Sequence, residues 1–411
     1  MTRDAIEVEI TRVGAQGDCV AETAVGQLFV PFTLPGERAR VVPEGERARL
    51  DAILTPSPDR VPPVCQHFGI CGGCAVQHMA PAYYASWKRD QVIAAFKARA
   101  IEADVAPLVI PQGLRRRAVF TATRTEAGVV LGFHKAQAHD LIDLAECPVL
   151  EPRIVAALPG LRILLKPLIA KRSEARVTVT MTAAGLDVAI NDLEKTLTLP
   201  LRSELAKHAT EMKIARFSID GDPVYAALTP FLTFGTIEVP IPPGAFIQAV
   251  GAAETEMARL VVDGIGKAKK VADLFSGVGA FTFPIAARAK VLAVDSDKAA
   301  VAALAEGVRK GTGIKPVTSI VRDLFREPLS ALELNEHDAV VFDPPRAGAE
   351  AQARMLAKSK VKTVVAVSCN PATLARDART LIDGGYTMGT VTPIDQFHYT
   401  PHIECVAVFK R

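Results

Sequence analysis

The sequence predicts an α/β protein whose C-terminal half is a doubly wound, mostly parallel sheet, preceded by a small N-terminal β-barrel and a central β-rich region. Three observations carry this expectation. From about residue 271 the apolar strands VADLF, KVLAVD, TSIVRD, HDAVVFD and KTVVAVS are each followed by a Gly/Pro turn or a helical segment such as FTFPIAARA, KAAVAALAEGVRK or ATLARDARTLIDGG. YTMGTV and ECVAVF add two more strands to that half. Residues 6–42 carry short alternating strands between turn signals, and RVTVTM and LDVAIN alternate in the same way further on. A chain of 411 residues exceeds one ordinary domain. The expected division is a barrel over 1–57, a central region over 58–245 and an α/β unit over 246–411.

The composition fits a folded protein, with 49% apolar and 23% charged residues. No apolar run approaches the ~20 residues that cross a bilayer. The opening residues MTRDAIEVEI lack the apolar stretch of a secretion signal, so a cytoplasmic location is expected. A net charge of +3 neither demands nor excludes a nucleic-acid partner, because a local basic face can sit inside a nearly neutral total. Nothing calls for an obligate protein partner. Seven cysteines in a reducing compartment point to metal binding or catalysis and away from disulfides.

In chain order, Ile6 to Thr11, Gly26 to Pro31 and Glu37 to Val42 read as barrel strands. Gly14, Gly17, Pro35-Gly36 and Glu44-Gly45 mark the turns. Arg38, Arg40, Arg47 and Arg49 suit a phosphate-facing edge and equally suit a charged edge strand that guards against aggregation. The Pro-rich stretch from Pro56 to Pro63 reads as a joint. A helical pattern follows from about Pro81 to Ala100, extending to about 105, placed to pack on the α/β unit. From Arg115 to about Thr236 the reading is mostly β, with Arg115-Arg116-Arg117 opening a strand.

The α/β half carries the chemistry at its strand ends, where ligands bind in such sheets. Asp273-Leu274-Phe275-Ser276-Gly277-Val278-Gly279 runs from a strand into a glycine-rich turn that lets backbone approach a ligand. The third glycine of the dinucleotide fingerprint is missing, which argues against NAD. Asp295 closes the next strand, placed to accept hydrogen bonds from ribose hydroxyls, and Asp323 closes the third, placed to face an adenine edge. With Gln248 just before the sheet, these residues form a candidate site for S-adenosylmethionine (SAM).

Asp343-Pro344-Pro345-Arg346 ends the fourth strand, Ser368-Cys369-Asn370-Pro371 ends the fifth, and Thr400-Pro401-His402-Ile403-Glu404 leads into a late strand. Uracil C5 is a poor nucleophile, and a thiolate added at C6 makes C5 electron-rich enough to accept a methyl group. A base must then remove the C5 proton before the thiol can leave. Cys369 fits the nucleophile, Glu404 the base, and Asp343 a partner for uracil N3–H. If Cys369 were an inert buried thiol, Glu404 would read as a plain strand residue, so the two stand or fall together. His398 and His402 read as orienting residues, with no second ligand pair spaced to join them.

The motifs D-L-F-S-G-V-G, D-P-P-R, S-C-N-P and F-H-Y-T-P-H-I-E, in this order, resemble the RNA 5-methyluridine methyltransferase family over essentially the whole chain. The resemblance implies a SAM-dependent (class I, Rossmann-like) methyltransferase sheet and a TRAM-like barrel. It implies Cys369 as nucleophile, Glu404 as base, and SAM contacts from Gln248, Phe275, Asp295, Asp323 and Asp343. Ser276, Ala280 and Val250 depart from residues common in the family.

Cys65, Cys71 and Cys74 form C-x5-C-G-G-C, with Cys147 remote, and four thiolates suit either zinc or a cubane cluster. The subfamily resembled carries a [4Fe–4S] cluster on this pattern. The spacing does not match the C-x3-C-x2-C of radical SAM chemistry. Members with both cluster and barrel more often resemble enzymes of 23S ribosomal RNA than those of the transfer-RNA T-loop. RNA is expected on the barrel, on Arg115 to Arg117, and on Lys88-Arg89. A non-catalytic RNA-binding factor would lack the nucleophile or the base, and both are present.

Overall fold

The computed structural model describes residues 5–24, 26–136, 138–171, 173–193 and 197–411. The first four residues of the segment read for a secretion signal lie outside them. Five strands, β1 (Ile6–Val13), β2 (Cys19–Thr23), β3 (Gly26–Val30), β4 (Arg38–Glu44) and β5 (Arg47–Thr55), close into a barrel in the order β1-β2-β3-β5-β4. Alternation puts Val8, Ile10, Val30, Ala39 and Val41 inside. The sequence reading missed β2 and β5. Closure leaves no edge strand for the arginines to guard. Each arginine instead faces an acid: Arg38 with Glu7, Arg40 with Asp51, Arg47 with Asp18 and Arg49 with Glu44. Of the two readings of these arginines, neither a free basic edge nor an edge strand is formed: they sit in ion pairs, three of them exposed and contributing little to stability, with Arg47–Asp18 part-buried.

Helix α1 (Pro81–Lys97) starts on Pro81, whose fixed φ suits a first helical turn. Its N-terminal Tyr84 and Trp87 pack with Leu34, Val76 and Met79 beside the barrel. Its C-terminal Val92 and Phe96, with Ile101 and Val105, enter the core of the α/β sheet.

The middle region is an open sheet covered by helices. Along the chain come β6 (Arg117–Arg124), β7 (Val129–Gly132), α2 (Pro152–Leu165), β8 (Glu174–Thr182), β9 (Gly185–Asn191), α3 (Leu199–Glu211), β10 (Arg216–Ile219) and β11 (Asp222–Ala226). The strand order is β11-β10-β9-β8-β6-β7. The two helices went unread in a region expected to be mostly β. Ile154, Leu158, Leu161 and Leu165 recur at helical spacing and bury against Phe120, Val177 and Val188. The hairpin β12 (Phe231–Phe234) and β13 (Ile237–Pro240), read as part of this region, packs instead through Leu232, Ile237 and Val239 against Phe283 and Leu304 of the α/β half.

That half comprises α4 (Gly251–Ile265), β14 (Lys270–Leu274), α5 (Thr282–Ala286), β15 (Lys290–Asp295), α6 (Lys298–Lys310), β16 (Val317–Val321), α7 (Ala331–Leu334), β17 (Ala339–Phe342), α8 (Glu350–Lys358), β18 (Thr363–Ser368), α9 (Pro371–Asp383), β19 (Thr387–Met388), β20 (Thr392–Ile394) and β21 (Glu404–Lys410). The order β16-β15-β14-β17-β18-β21-β19 is parallel through β18, and β21 runs antiparallel beside it. The order reverses between β14 and β17, which places a crevice at their carboxyl ends. No helix among the described residues is long and apolar enough to cross a membrane.

Candidate active site

At the end of β14, Phe275 and Gly277 both take positive φ (61° and 52°). This curls the turn so that the Gly277 N–H donates to Asp295 Oδ2 at 2.8 Å. A Cβ on Gly277 would meet nothing within 4 Å, whereas one on Gly279 would strike the Phe283 ring at 2.6 Å. The first glycine thus leaves an open face and the second permits close packing. Asp295 Oδ1 also accepts from the Asp297 N–H at 2.8 Å, so the carboxylate is fixed at the strand end. Asp323 accepts from the Phe325 N–H at 3.0 Å and shapes its own turn. That turn carries Phe325, half exposed, with its ring 5.5 Å from Phe275. The sequence reading missed Phe325.

Cys369 follows β18 and Glu404 opens β21. Ser368 pairs with Cys405 across the antiparallel ladder, so Cys369 and Glu404 are the next positions on the two strands. Glu404 is buried. Its Oε1 accepts from Gln396 Nε2 at 2.8 Å, and its Oε2 has no partner. Burial pushes the Glu404 carboxyl up to about 7, against the donation from Gln396 and the charge of Arg346. Asp343, after β17, accepts from Gln248 Nε2 at 2.9 Å, and burial with the nearby Glu404 charge raises its proton affinity well above the ordinary range. The thiol of Cys369 is pushed up to about 12 by burial, then by Glu404 and Asp343, and is eased by Arg346. These surroundings favour the neutral thiol over the thiolate.

The loop before β21 is clasped from α1. Lys88, fully buried, donates to Asp395 Oδ1 at 2.5 Å, to the Phe397 carbonyl at 3.2 Å and to the His402 carbonyl at 2.9 Å. The Tyr84 hydroxyl donates to Asp395 Oδ2 at 2.6 Å. Burying a lysine is costly unless it is paired, and three acceptors meet that need. Lys88 is therefore not the surface RNA contact expected. The half-buried arginines beside it are partly tied to the protein: Arg89 donates to the Val105 carbonyl, Arg116 pairs with Glu254 at 2.6 Å, and Arg117 donates to the Ala245 carbonyl. Of the expected basic segments, Arg115 opens on a cleft of about 960 Å³, shared with Arg47, Arg346 and the rings of Phe32, Phe133 and Phe397. A neighbouring cleft of about 660 Å³ holds Cys369 and shares Arg346 and His402 with the first. Burial and the charges of Arg346, Lys88 and Arg115 hold the His402 ring neutral, down to about 4.

The profile of the tRNA (Uracil-5-)-methyltransferase family matches residues 237–411. The chain is 49% identical to an RNA methyltransferase of Brucella suis over 98% of both chains. The chain belongs to the RNA uracil-5-methyltransferase family. Its members are SAM-dependent RNA methyltransferases, and the relatives include the 23S rRNA (uracil(1939)-C(5))-methyltransferase RlmD of Edwardsiella ictaluri, 33% identical over 100% of this chain and 96% of that one. The fold matches that of the Pyrococcus abyssi tRNA (uracil-54, C5)-methyltransferase in complex with S-adenosyl-L-homocysteine. The TM-score is 0.76 at 23% identity, over 98% of this chain and 100% of that one.

In this member of the family, Cys65, Cys71, Cys74 and Cys147 line one cavity of about 180 Å³. Among the described residues, no three His, Cys, Asp or Glu side chains form a group tight enough to clasp a single metal ion. Burial pushes the Cys74 thiol up to about 12 and the Cys147 thiol to about 11. Arg115 lines the same cavity, and its buried Nε–H has no partner.

Proposed function

We propose that this enzyme methylates C5 of a uridine in 23S ribosomal RNA through a transient bond between Cys369 and C6 of the uracil. The observation that carries the reading is the pairing of Cys369 and Glu404 at adjacent strand ends, with one buried Glu404 oxygen left without a partner. The Cys369 thiol first releases its proton to solvent, the thiolate adds to C6, and the electron pair of the C5–C6 double bond becomes available at C5. SAM supplies the methyl group as a sulfonium. Glu404 then takes the C5 proton, the C5–H pair closes the double bond, and the C6–S pair returns to Cys369. In this reading Phe275, Asp295, Asp323, Gln248 and Asp343 bind SAM, with Phe325 offering a second ring to its base. The target uridine must leave its stack to enter. The guanidinium groups of Arg115 and Arg346 beside the half-buried rings of Phe32, Phe133 and Phe397 along the larger cleft suit a single-stranded RNA approach.

The cysteine cavity supports a resident [4Fe–4S] cluster held by Cys65, Cys71, Cys74 and Cys147. A cluster spreads its four sulfur ligands around a volume, and its thiolate charge would answer the unpaired Arg115 guanidinium. Its part here is structural, tying the 65–74 segment to the 147 turn. The ribosomal preference rests on the full-length resemblance to the Edwardsiella enzyme. A transfer-RNA T-loop target is the alternative. The test is to map 5-methyluridine in total RNA from cells with and without the protein. The expected result is loss of the mark at one 23S position, and loss from transfer RNA alone would overturn the ribosomal assignment.

A further inference from the structure

We infer that Gln396 is a positioning residue that sets which oxygen of Glu404 receives the proton. The inference rests on the reading of Glu404 as the base. Gln396 is 1% exposed and every hydrogen-bonding position of its amide is directed. Its Oε1 accepts from the Ala249 N–H at 2.9 Å. A backbone N–H can only donate, so this contact fixes the sense of the amide and turns both Nε2 hydrogens the other way. One goes to Glu404 Oε1 at 2.8 Å and the other to Gln248 Oε1 at 2.6 Å. Gln248 Oε1 is then an acceptor, so its own Nε2 donates to Asp343 Oδ2, the 2.9 Å contact given above.

The result is a one-way chain from a backbone amide through two glutamines to two buried carboxylates. Neither carboxylate can pass a proton to the other along it, because each meets only a donor. Glu404 Oε1 is occupied, which leaves Oε2 to accept the C5 proton. Donation to Oε1 also favours the charged carboxylate, against burial and the repulsion of Asp343. The two acids resist double ionisation, and the donor from Gln396 works towards keeping Glu404 the charged one. Gln396 does not stand out in the sequence, since a glutamine in a loop is unremarkable until its partners at 248, 249 and 404 are brought together.

The test compares Gln396→Leu and Glu404→Gln in the full chain, using total RNA from cells lacking the protein. Losing the base should stall the reaction after methyl transfer, leaving a SAM-dependent RNA–protein adduct on ordinary uridine that survives denaturation. Gln396→Leu is expected to lower turnover about 10²-fold, accumulate the same adduct and move the acidic limb of the pH–rate profile to higher pH. The sign follows from the lost donor. A Glu404 that holds its proton more tightly needs a higher pH to act as a base. Gln396→Glu keeps the shape and the bond to Ala249 while replacing the donors with a third acid. It is expected to move the limb further in the same direction, and it covers a folding failure of the leucine variant. Suppose Glu404→Gln stalls as the adduct while the Gln396 variants either turn over with an unmoved pH profile or lose adduct and methyl transfer together. The inference is then overturned and the base reading stands. If Glu404→Gln forms no adduct, the base reading falls and takes the inference with it.

Discussion

The strand-end crevice and the cysteine-lined cavity both gather reactive side chains, but they are held in different ways. In the crevice, Cys369 and Glu404 are set by the ladder between β18 and β21, and the loop before β21 is fixed by Lys88 and Tyr84. In the cavity, Cys65, Cys74 and Cys147 lie on irregular backbone, and Cys71 makes one isolated bridge to Lys135. Sheet register arranges the first set without any ligand. The second lies on turns tied by scattered long-range contacts, such as the Gly72 N–H to the His134 carbonyl at 2.9 Å and the Ala136 N–H to the Ile70 carbonyl at 3.0 Å. The orphan atoms agree with this contrast. Glu404 Oε2 is one open position in an otherwise bonded chain of side chains, whereas Arg115 Nε is a buried donor facing no acceptor among the described residues.

Two substitutions separate the regions. The larger effect is expected from Cys71→Ser. It should abolish bound iron and lower the melting temperature, read by iron analysis and thermal unfolding of anaerobically purified protein. Wild-type protein purified without iron, or a variant whose iron content and melting both match the wild type, would show that these cysteines hold no cluster. Lys88→Met should leave iron content unchanged while destabilising the fold by about 3–5 kcal/mol in denaturant titration, because Asp395 is left buried and unpaired. A loss below about 1 kcal/mol would mean that the clasp is not what holds the loop.

Much of the crevice was legible because strand ends carry their chemistry in contiguous motifs. The glycine turn after Asp273, Asp295, Asp343, Cys369 and Glu404 all stood out in the sequence, and the fold brings them to one side of the sheet. What was hidden depends on contacts far apart in the chain. Lys88 lies 307 positions from Asp395, and its neighbour Arg89 made the pair look like a surface patch. Gln396 is defined only by its partners. The arginines of the barrel looked free because β5, which carries two of them, went unrecognised as the strand that closes the sheet. The helices α2 and α3 were obscured by strong alternation in β8 and β9 between them, although Leu158, Leu161 and Leu165 keep helical spacing.

The most direct test of the covalent reading uses RNA carrying 5-fluorouridine, since a fluorine at C5 cannot be removed as a proton and the C6–S bond should persist. With SAM present, the wild-type chain is expected to form an adduct that survives denaturation, and Cys369→Ala is expected to form none and to lose methyl transfer by more than about 10³-fold. An adduct that still forms on Cys369→Ala, or a Cys369→Ala variant that methylates at the normal rate, would contradict the account.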